Sequence, residues 1–212
     1  MAISIADFDF RVEGERVKTS DVKAGARERD GADVRASLDG NQDAYARLVA
    51  RYQPHVFRQM WHFTRDLNVQ DELVQEVFIE VYHSLAKFRG DAPLLHWIRR
   101  IATRTGYRYW RQKARRHRLE EAIERARTAP VCEPEDLTAA EAAECLHGLL
   151  AELPAAERLI LTLSYFEGLD SPEIAERMGW NATLVRVRAH RARQKLRVLL
   201  EKAGFGGFGS RR

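Results

Sequence analysis

The chain has 212 residues, 45% of them apolar and 31% charged, with a net charge of +4. That length allows one or two domains, and the composition supports real cores, which excludes a wholly disordered or collagen-like chain. No run approaches the ~18 apolar residues of a membrane span, the N-terminus has no basic-then-apolar leader pattern, and the two cysteines, Cys132 and Cys145, make no disulfide framework and fit a reducing cytoplasm.

Residues 1–30 are polar and mixed in charge after a partly alternating start, ISIADFDFRV, and are expected to be a disordered extension. From residue 31 to residue 118 the apolar period is helical. Ala44, Leu48, Tyr52, Val56 and Met60 mark one stripe with Asn41 as its cap, and Pro54 predicts a kink or joint within it. A second helix, Val69 to Lys87, turns Leu73, Val77, Val81 and Leu85 inward and leaves Asp71, Glu72, Gln75, Glu76 and Glu80 on its other face. FRGDAP then reads as a turn. A third helix, Leu94 to Arg116, faces its core with Leu94, Trp97, Ile98, Ile101 and Thr105. Its second half changes character. From Arg99 to Arg118 there are nine basic residues and no acid, interleaved with Tyr107, Tyr109 and Trp110. Cations along a helix can track phosphates, and exposed aromatic faces can stack unpaired bases at ~1–3 kcal/mol each. Three aromatics so tightly spaced cannot all face one core.

A connector over 119–138 ends in TAPVCEPEDLT, whose prolines and carboxylates disfavour a packed element. A second helical domain follows over 139–203, and the tail 204–212, GFGGFGSRR, is expected to be flexible. Leu146, Leu149 and Leu150 close one helix of this domain, and Leu159, Ile160, Leu163 and Phe166 form the inward face of the next. SPEIAERMG and NATLVRVRAHRARQKLRVLL then read as a helix-turn-helix. Ser171 is expected to cap its first helix, with Pro172 at the first helical position, Gly179 closing it and Asn181 capping the second. On that second helix Val185, Ala189, Ala192, Leu196 and Leu199 recur as one stripe, with Arg186, Arg188, His190, Arg191 and Arg193 between them. No Asp or Glu occurs from Arg177 to Leu200, so nothing nearby in sequence neutralises these cations. An apolar back and a basic front suit a helix that enters the major groove. The expected fold is all-α: two small helical domains joined by a flexible linker.

These stretches, in this order and a linker apart, resemble the extracytoplasmic-function sigma factors of the sigma-70 family. DVRASLDGNQDAYARLVARYQPHVFR resembles the opening helix of sigma region 2, ELVQEVFIEVYHSLAKFRG its core, and HWIRRIAT with the arginine-rich stretch after it region 2.4. LPAAERLILTLSYFEGLDSPEIAERMG and VRVRAHRARQKLR resemble region 4. The resemblance implies a transcription initiation subunit that needs neither cofactor nor metal. It implies three partners: core RNA polymerase, met at its clamp and flap; promoter DNA at the −10 and −35 elements; and an anti-sigma factor. It places the clamp contact on Asp71, Glu72, Gln75 and Glu76. It places readout of the −35 duplex on Arg186, Val187, His190 and Arg191, with Thr183 and Arg188 beside them. It places the melted −10 strand against the loop Phe88 to Leu95, including Asp91; the basic and aromatic pattern of the third helix, by its own chemistry, adds Arg104, Tyr107, Arg108, Trp110 and Arg111 as candidate DNA contacts. Thr183-Leu184 stand where the family often has Gly-Thr, and Arg104 and Arg108 replace a family-typical Asn and Asp. These departures bear on which promoter is read.

Two other readings compete. A conventional helix-turn-helix regulator would bind duplex operator by itself, usually as a symmetric dimer. An enzyme would need a recognisable site, and the chain has no phosphate-cradling glycine loop, no HExxH and no GxSxG. Cys132 with Cys145-x-His147 is a partial set of metal ligands that lacks a fourth.

Overall fold

The computed structural model describes residues 19–121 and 138–205, which form eight α-helices and one 3-10 turn with no strand among them. In chain order these are α1 (Thr19–Leu38), α2 (Gln42–Met60), α3 (Leu67–Ser84), the 3-10 turn Leu85–Lys87, α4 (Leu94–Glu121), α5 (Ala139–Ala151), α6 (Ala155–Phe166), α7 (Ser171–Met178) and α8 (Ala182–Lys202). The start of the expected N-terminal extension, most of the expected linker and the end of the expected tail lie outside the described residues.

Helices α1 to α4 make the first domain. Asn41 caps α2 by accepting from the Ala44 amide at 3.0 Å, and Asp66 caps α3 by accepting from the Asn68 and Val69 amides. The period of four then buries Leu48, Val56 and Met60 on α2, Leu73, Val77 and Val81 on α3, and Leu94, Ile98 and Ala102 on α4. Each large aliphatic side chain removed from water contributes about 1.5–3 kcal/mol. This packing corrects the expected joint at Pro54, because α2 runs through it as one helix. Tyr52 and Val56, on either side, are held in the same core, which outweighs the lost backbone bond. A second correction concerns α1. It begins at Thr19, inside the stretch expected to be disordered. Its Asp30 and Asp33 are buried against α2, where Arg51 donates to Asp30 at 2.6 Å and to Asp33 at 2.8 Å, Arg47 donates to Asp33 at 2.8 Å, and the Tyr52 hydroxyl donates to Asp30 at 2.5 Å. Asp30, at the end of that stretch, is held in place by this charge-assisted clasp.

Helices α5 to α8 make the second domain. Thr138 and Glu141 form a capping box at α5. Leu150, Leu153, Leu161 and Ala192 pack as one cluster, while Leu159, Ile160, Leu163, Ile174, Val185 and Ala189 belong to the larger core. The cap of α7 is Asp170, not Ser171. Asp170 accepts from the Glu173 amide and Glu173 accepts from the Asp170 amide, each at 2.8 Å, so a reciprocal box displaces the weaker serine. Gly179 closes α7 at φ 70° and Asn181 caps α8, as expected. Phe166 is 51% exposed rather than inward, because it ends α6 and meets the other domain. Cys145 is disulfide-bonded, which corrects the expectation of cysteines kept reduced, since a count of two and their spacing in sequence do not say whether the sulfurs meet. Cys132 lies outside the described residues.

The two domains pack through α4, which lies against both α6 and α7. Trp110 of α4 donates from Nε1 to the Phe63 carbonyl at 2.7 Å, and its ring lies 4.6 Å from that of Phe63. Its other neighbour is Arg158 of α6, whose guanidinium is 4.0 Å from the ring. Around this pair, His62 meets Phe166 at 5.1 Å, Tyr107 meets Trp180 at 5.5 Å, Gln59 donates to Glu167 at 3.2 Å, and Arg65 donates to Glu144 at 2.8 Å. Arg158 Nη2 is 3.2 Å from His147 Nε2, and since guanidinium only donates, the imidazole nitrogen accepts. His147 therefore faces a cation, which does not suit a metal ligand.

Two expectations follow from this packing. A methyl group on Gly106 would lie 2.5 Å from the buried Phe63 ring, which Trp110 backs. Gly106→Ala should destabilise the chain by about 1–3 kcal/mol despite alanine's better helix propensity, measured by denaturant titration. The second concerns pH. Burial, then Arg158, Arg65 and Lys113, pushes His147 down to about 3, and burial with Arg65 pushes His62 down to about 4. Both lie below the ordinary 6.5, so the packed form prefers the neutral rings. Their contribution is whole above that value and is lost as pH falls from 6.5 towards 4. The melting temperature should drop between about pH 7 and pH 5, and His62→Leu with His147→Leu should flatten that slope. An equal slope in the double variant would count against the two histidines.

Candidate nucleic-acid interface

Helix α8 owes its position to its ends and its back. The Asn181 side chain accepts from the Thr183 amide at 2.9 Å and the Leu184 amide at 3.2 Å, and Val185, Ala189 and Ala192 are buried against α6 and α7. The opposite side is exposed. Thr183, Arg186, Val187, His190 and Arg191 all lie on it, and Arg188 is half-buried with its guanidinium 5.7 Å from the Trp180 ring. Among the described residues no carboxylate pairs with Arg186, Arg191 or Arg193. His190 shares a contact of 3.0 Å with Gln194. The C-terminal half is different. Lys195 pairs with Glu157 at 2.8 Å and Arg197 with Glu201 at 3.0 Å. The absence of nearby acids in the sequence therefore does not hold in space for Lys195, because α6 supplies one. Unscreened positive charge is concentrated on the first three turns, where a major-groove helix makes its base contacts.

Helix α4 carries the other candidate set, and the structure divides it. Arg104 is exposed with no carboxylate partner among the described residues. Arg111 is exposed with its guanidinium 5.9 Å from the Tyr107 ring. Arg108 pairs with Glu76 of α3 at 2.6 Å, so a cation expected to face DNA and an acid expected to face polymerase neutralise each other. Tyr107 is half-buried edge-on to Trp180. Trp110 is only 3% exposed. It is corrected from a base-stacking face to a core residue, because its N–H is bonded to the Phe63 carbonyl and its ring is packed against Phe63 and Arg158. Asp91 is exposed on the loop before α4, which Gly90 turns at φ 78° and Phe88 anchors with its ring 5.4 Å from Trp97.

On α3, Asp71, Glu72, Gln75 and Glu76 are exposed together. Beside them lies an apolar strip that the inward stripe did not predict. Ile79 is 58% and Tyr82 51% exposed, and they border a groove of about 440 Å³ that also takes in Tyr45, Val49 and Phe78. Phe57 of α2 and Trp61, just past its end, line a second groove of about 540 Å³. Their signal in the sequence was present: each is a large apolar residue off the buried stripe of its own helix. A face with carboxylates on one side and apolar side chains on the other suits a protein partner more than nucleic acid.

Comparison with known proteins finds relatives over both domains. The sigma-70 region 2 family model matches residues 48–116, and the sigma-70 region 4 model matches residues 135–196. The chain is 31% identical over 173 residues to the RNA polymerase sigma-H factor of Pseudomonas aeruginosa, covering 76% of this chain and 89% of that protein. It is 32% identical over 166 residues to the ECF RNA polymerase sigma-E factor of Escherichia coli, covering 74% and 86%. Among solved structures, CnrH in complex with the cytosolic domain of CnrY is similar with a TM-score of 0.54 at 26% identity, covering 84% of this chain and 97% of that one. RpoE of Bartonella quintana, solved with the anti-sigma factor NepR, shares the fold with a TM-score of 0.52 at 17% identity, covering 74% and 96%. With both sigma modules in order and relatives matched over most of their length, this chain belongs to the extracytoplasmic-function group of the sigma-70 family.

Proposed function

We infer that the chain is an alternative sigma factor that directs RNA polymerase to promoters and is restrained by an anti-sigma protein. The observation that carries this is the front of α8, where Arg186, Val187, His190 and Arg191 are exposed and the arginines have no carboxylate partner among the described residues, while Val185, Ala189 and Ala192 anchor the back. In this reading α8 holds the −35 duplex. Arg186 and Arg191 reach base edges or phosphates, and Thr183 and Arg188 flank them. The exposed cations of α4, Arg104 and Arg111, and the loop carrying Asp91 meet the opened −10 strand. Asp71, Glu72, Gln75 and Glu76 meet the polymerase clamp, and the apolar strip of α2 and α3 adds buried area to that contact. The same strip gives an inhibitor protein a place to compete with polymerase, and CnrH is seen bound to the cytosolic domain of a second protein. The second domain would meet the polymerase flap. Linking the two contacts through one chain makes the second intramolecular. The reading assigns no catalytic residue, cofactor or metal. No helix among the described residues is long and apolar enough to cross a membrane, and the reading places the chain beside RNA polymerase in the cell interior.

Run-off transcription with core polymerase tests the whole reading. Discrete promoter-specific transcripts are expected, whereas a conventional operator-binding regulator would give none without another sigma factor. In that assay Arg186→Ala and Arg191→Ala should each weaken −35-dependent initiation by about 1–3 kcal/mol, the worth of a lost base contact, and leave polymerase binding intact. Charge reversal on α3 should do the opposite. Asp71→Lys with Glu72→Lys should reduce co-purification with core polymerase without altering binding of duplex DNA. These two positions are the cleaner choice, since reversing Glu76 would also set a lysine against Arg108.

A further inference from the structure

The front of α8 is not cationic throughout. Leu184 and Val187 are each 43% exposed on it, among Thr183, Arg186, His190 and Arg191. At 3.6 residues per turn Val187 lies about 200° round the helix from the buried Val185, which puts it at the middle of the front. Leu184 precedes it by one turn and Arg191 follows it by one, so the three are neighbours along that side. The apolar pair thus occupies the first two turns, where a major-groove helix brings its side chains to base edges. Asn181 accepts from the Leu184 amide at 3.2 Å, which fixes the backbone at that position. Val198 is exposed as well, but it lies beyond these turns, beside the paired Lys195 and Arg197.

The domain's own core does not use this pair, since Val185, Ala189 and Ala192 already anchor the helix from behind. A side chain of carbon and hydrogen alone can neither donate to a phosphate nor pair with a polar base edge. The major groove offers it one partner, the C5 methyl group of thymine, which the other three bases lack. The surrounding arginines attract the duplex through its phosphates, and that attraction carries no sequence information. Spacing also fits. A rise of 1.5 Å per residue sets Val187 about 4.5 Å beyond Leu184 along the helix, close to the ~3.4 Å step between base pairs.

We propose that Leu184 and Val187 are specificity-determining residues that read thymine methyl groups in the duplex held by α8. This rests on reading α8 as the −35 surface. The arginines hold the duplex, and the apolar pair sets where thymine is preferred to cytosine, its pyrimidine counterpart without the methyl. Each methyl group covered contributes about fourfold, the equivalent of one buried CH2.

The test uses core polymerase loaded with the full chain and a promoter library randomised across the −35 block, from which bound templates are sequenced. The wild type should enrich thymine at one or two positions. Leu184→Ala and Val187→Ala should each lose a thymine preference, keep the other base preferences and retain wild-type helicity by circular dichroism. On an enriched promoter, deoxyuridine in place of such a thymine removes the methyl alone. That change should lower run-off initiation by the wild type about fourfold and leave the matching alanine variant unaffected. A block in which no thymine is enriched, or a wild type indifferent to deoxyuridine, would overturn the proposal. So would alanine variants that still respond to the missing methyl, or that lose output equally on every template, as side chains facing another protein would. Absence of any transcript would sink the sigma reading instead. Selection from the same library by the full chain alone, as labelled duplex, then decides the methyl contact by the same enrichment.

Discussion

One indole organises the molecule. Trp110 of α4 donates to the Phe63 carbonyl and lies against the Phe63 ring in the first domain, and its ring also receives the guanidinium of Arg158 from the second domain. The tight approach of α4 to Phe63 at Gly106 is part of the same arrangement, since only a residue without Cβ leaves room for the ring. A large flat side chain with one polar atom can be satisfied on every side only where several elements converge. Helix α4 is therefore core to its own domain along one face and interface to the other domain along the next.

Charge is distributed by pairing more than by composition. Asp30 and Asp33 are consumed by Arg47 and Arg51, Glu76 by Arg108, Glu167 by Arg177, and Glu157 by Lys195. Among the described residues, cations without a carboxylate partner are concentrated at the start of α8 and along α4. A net charge of +4 thus conceals two local regions of positive potential. Interactions made by such regions with phosphates depend steeply on salt, because bound counterions are released.

The acidic and apolar face of α3 follows another logic. Its carboxylates are exposed beside Ile79 and Tyr82, which the domain's own core does not need. Apolar side chains left in water next to charge suit a partner that is basic at the rim and apolar at the centre. The face of α3 and the front of α8 therefore display different chemistries, one acidic and apolar, the other cationic.

Much of this was legible in the residues alone. Stripes of four, the caps Asn41 and Asn181, and the left-handed Gly179 specify helices through interactions within a few positions, and these came out as read. The order of the two motif groups carried the family. Other features needed the folded chain. Asp170 takes the cap from Ser171 because a reciprocal bond with Glu173 is available, and α2 continues through Pro54 because one core holds both sides of it. Trp110 is buried and Arg108 is paired because residues 47 and 32 positions away are brought against them. Local periodicity tells which side of a helix is apolar. It does not tell which neighbour will cover that side, because the free energy of that choice lies in contacts between segments distant along the chain.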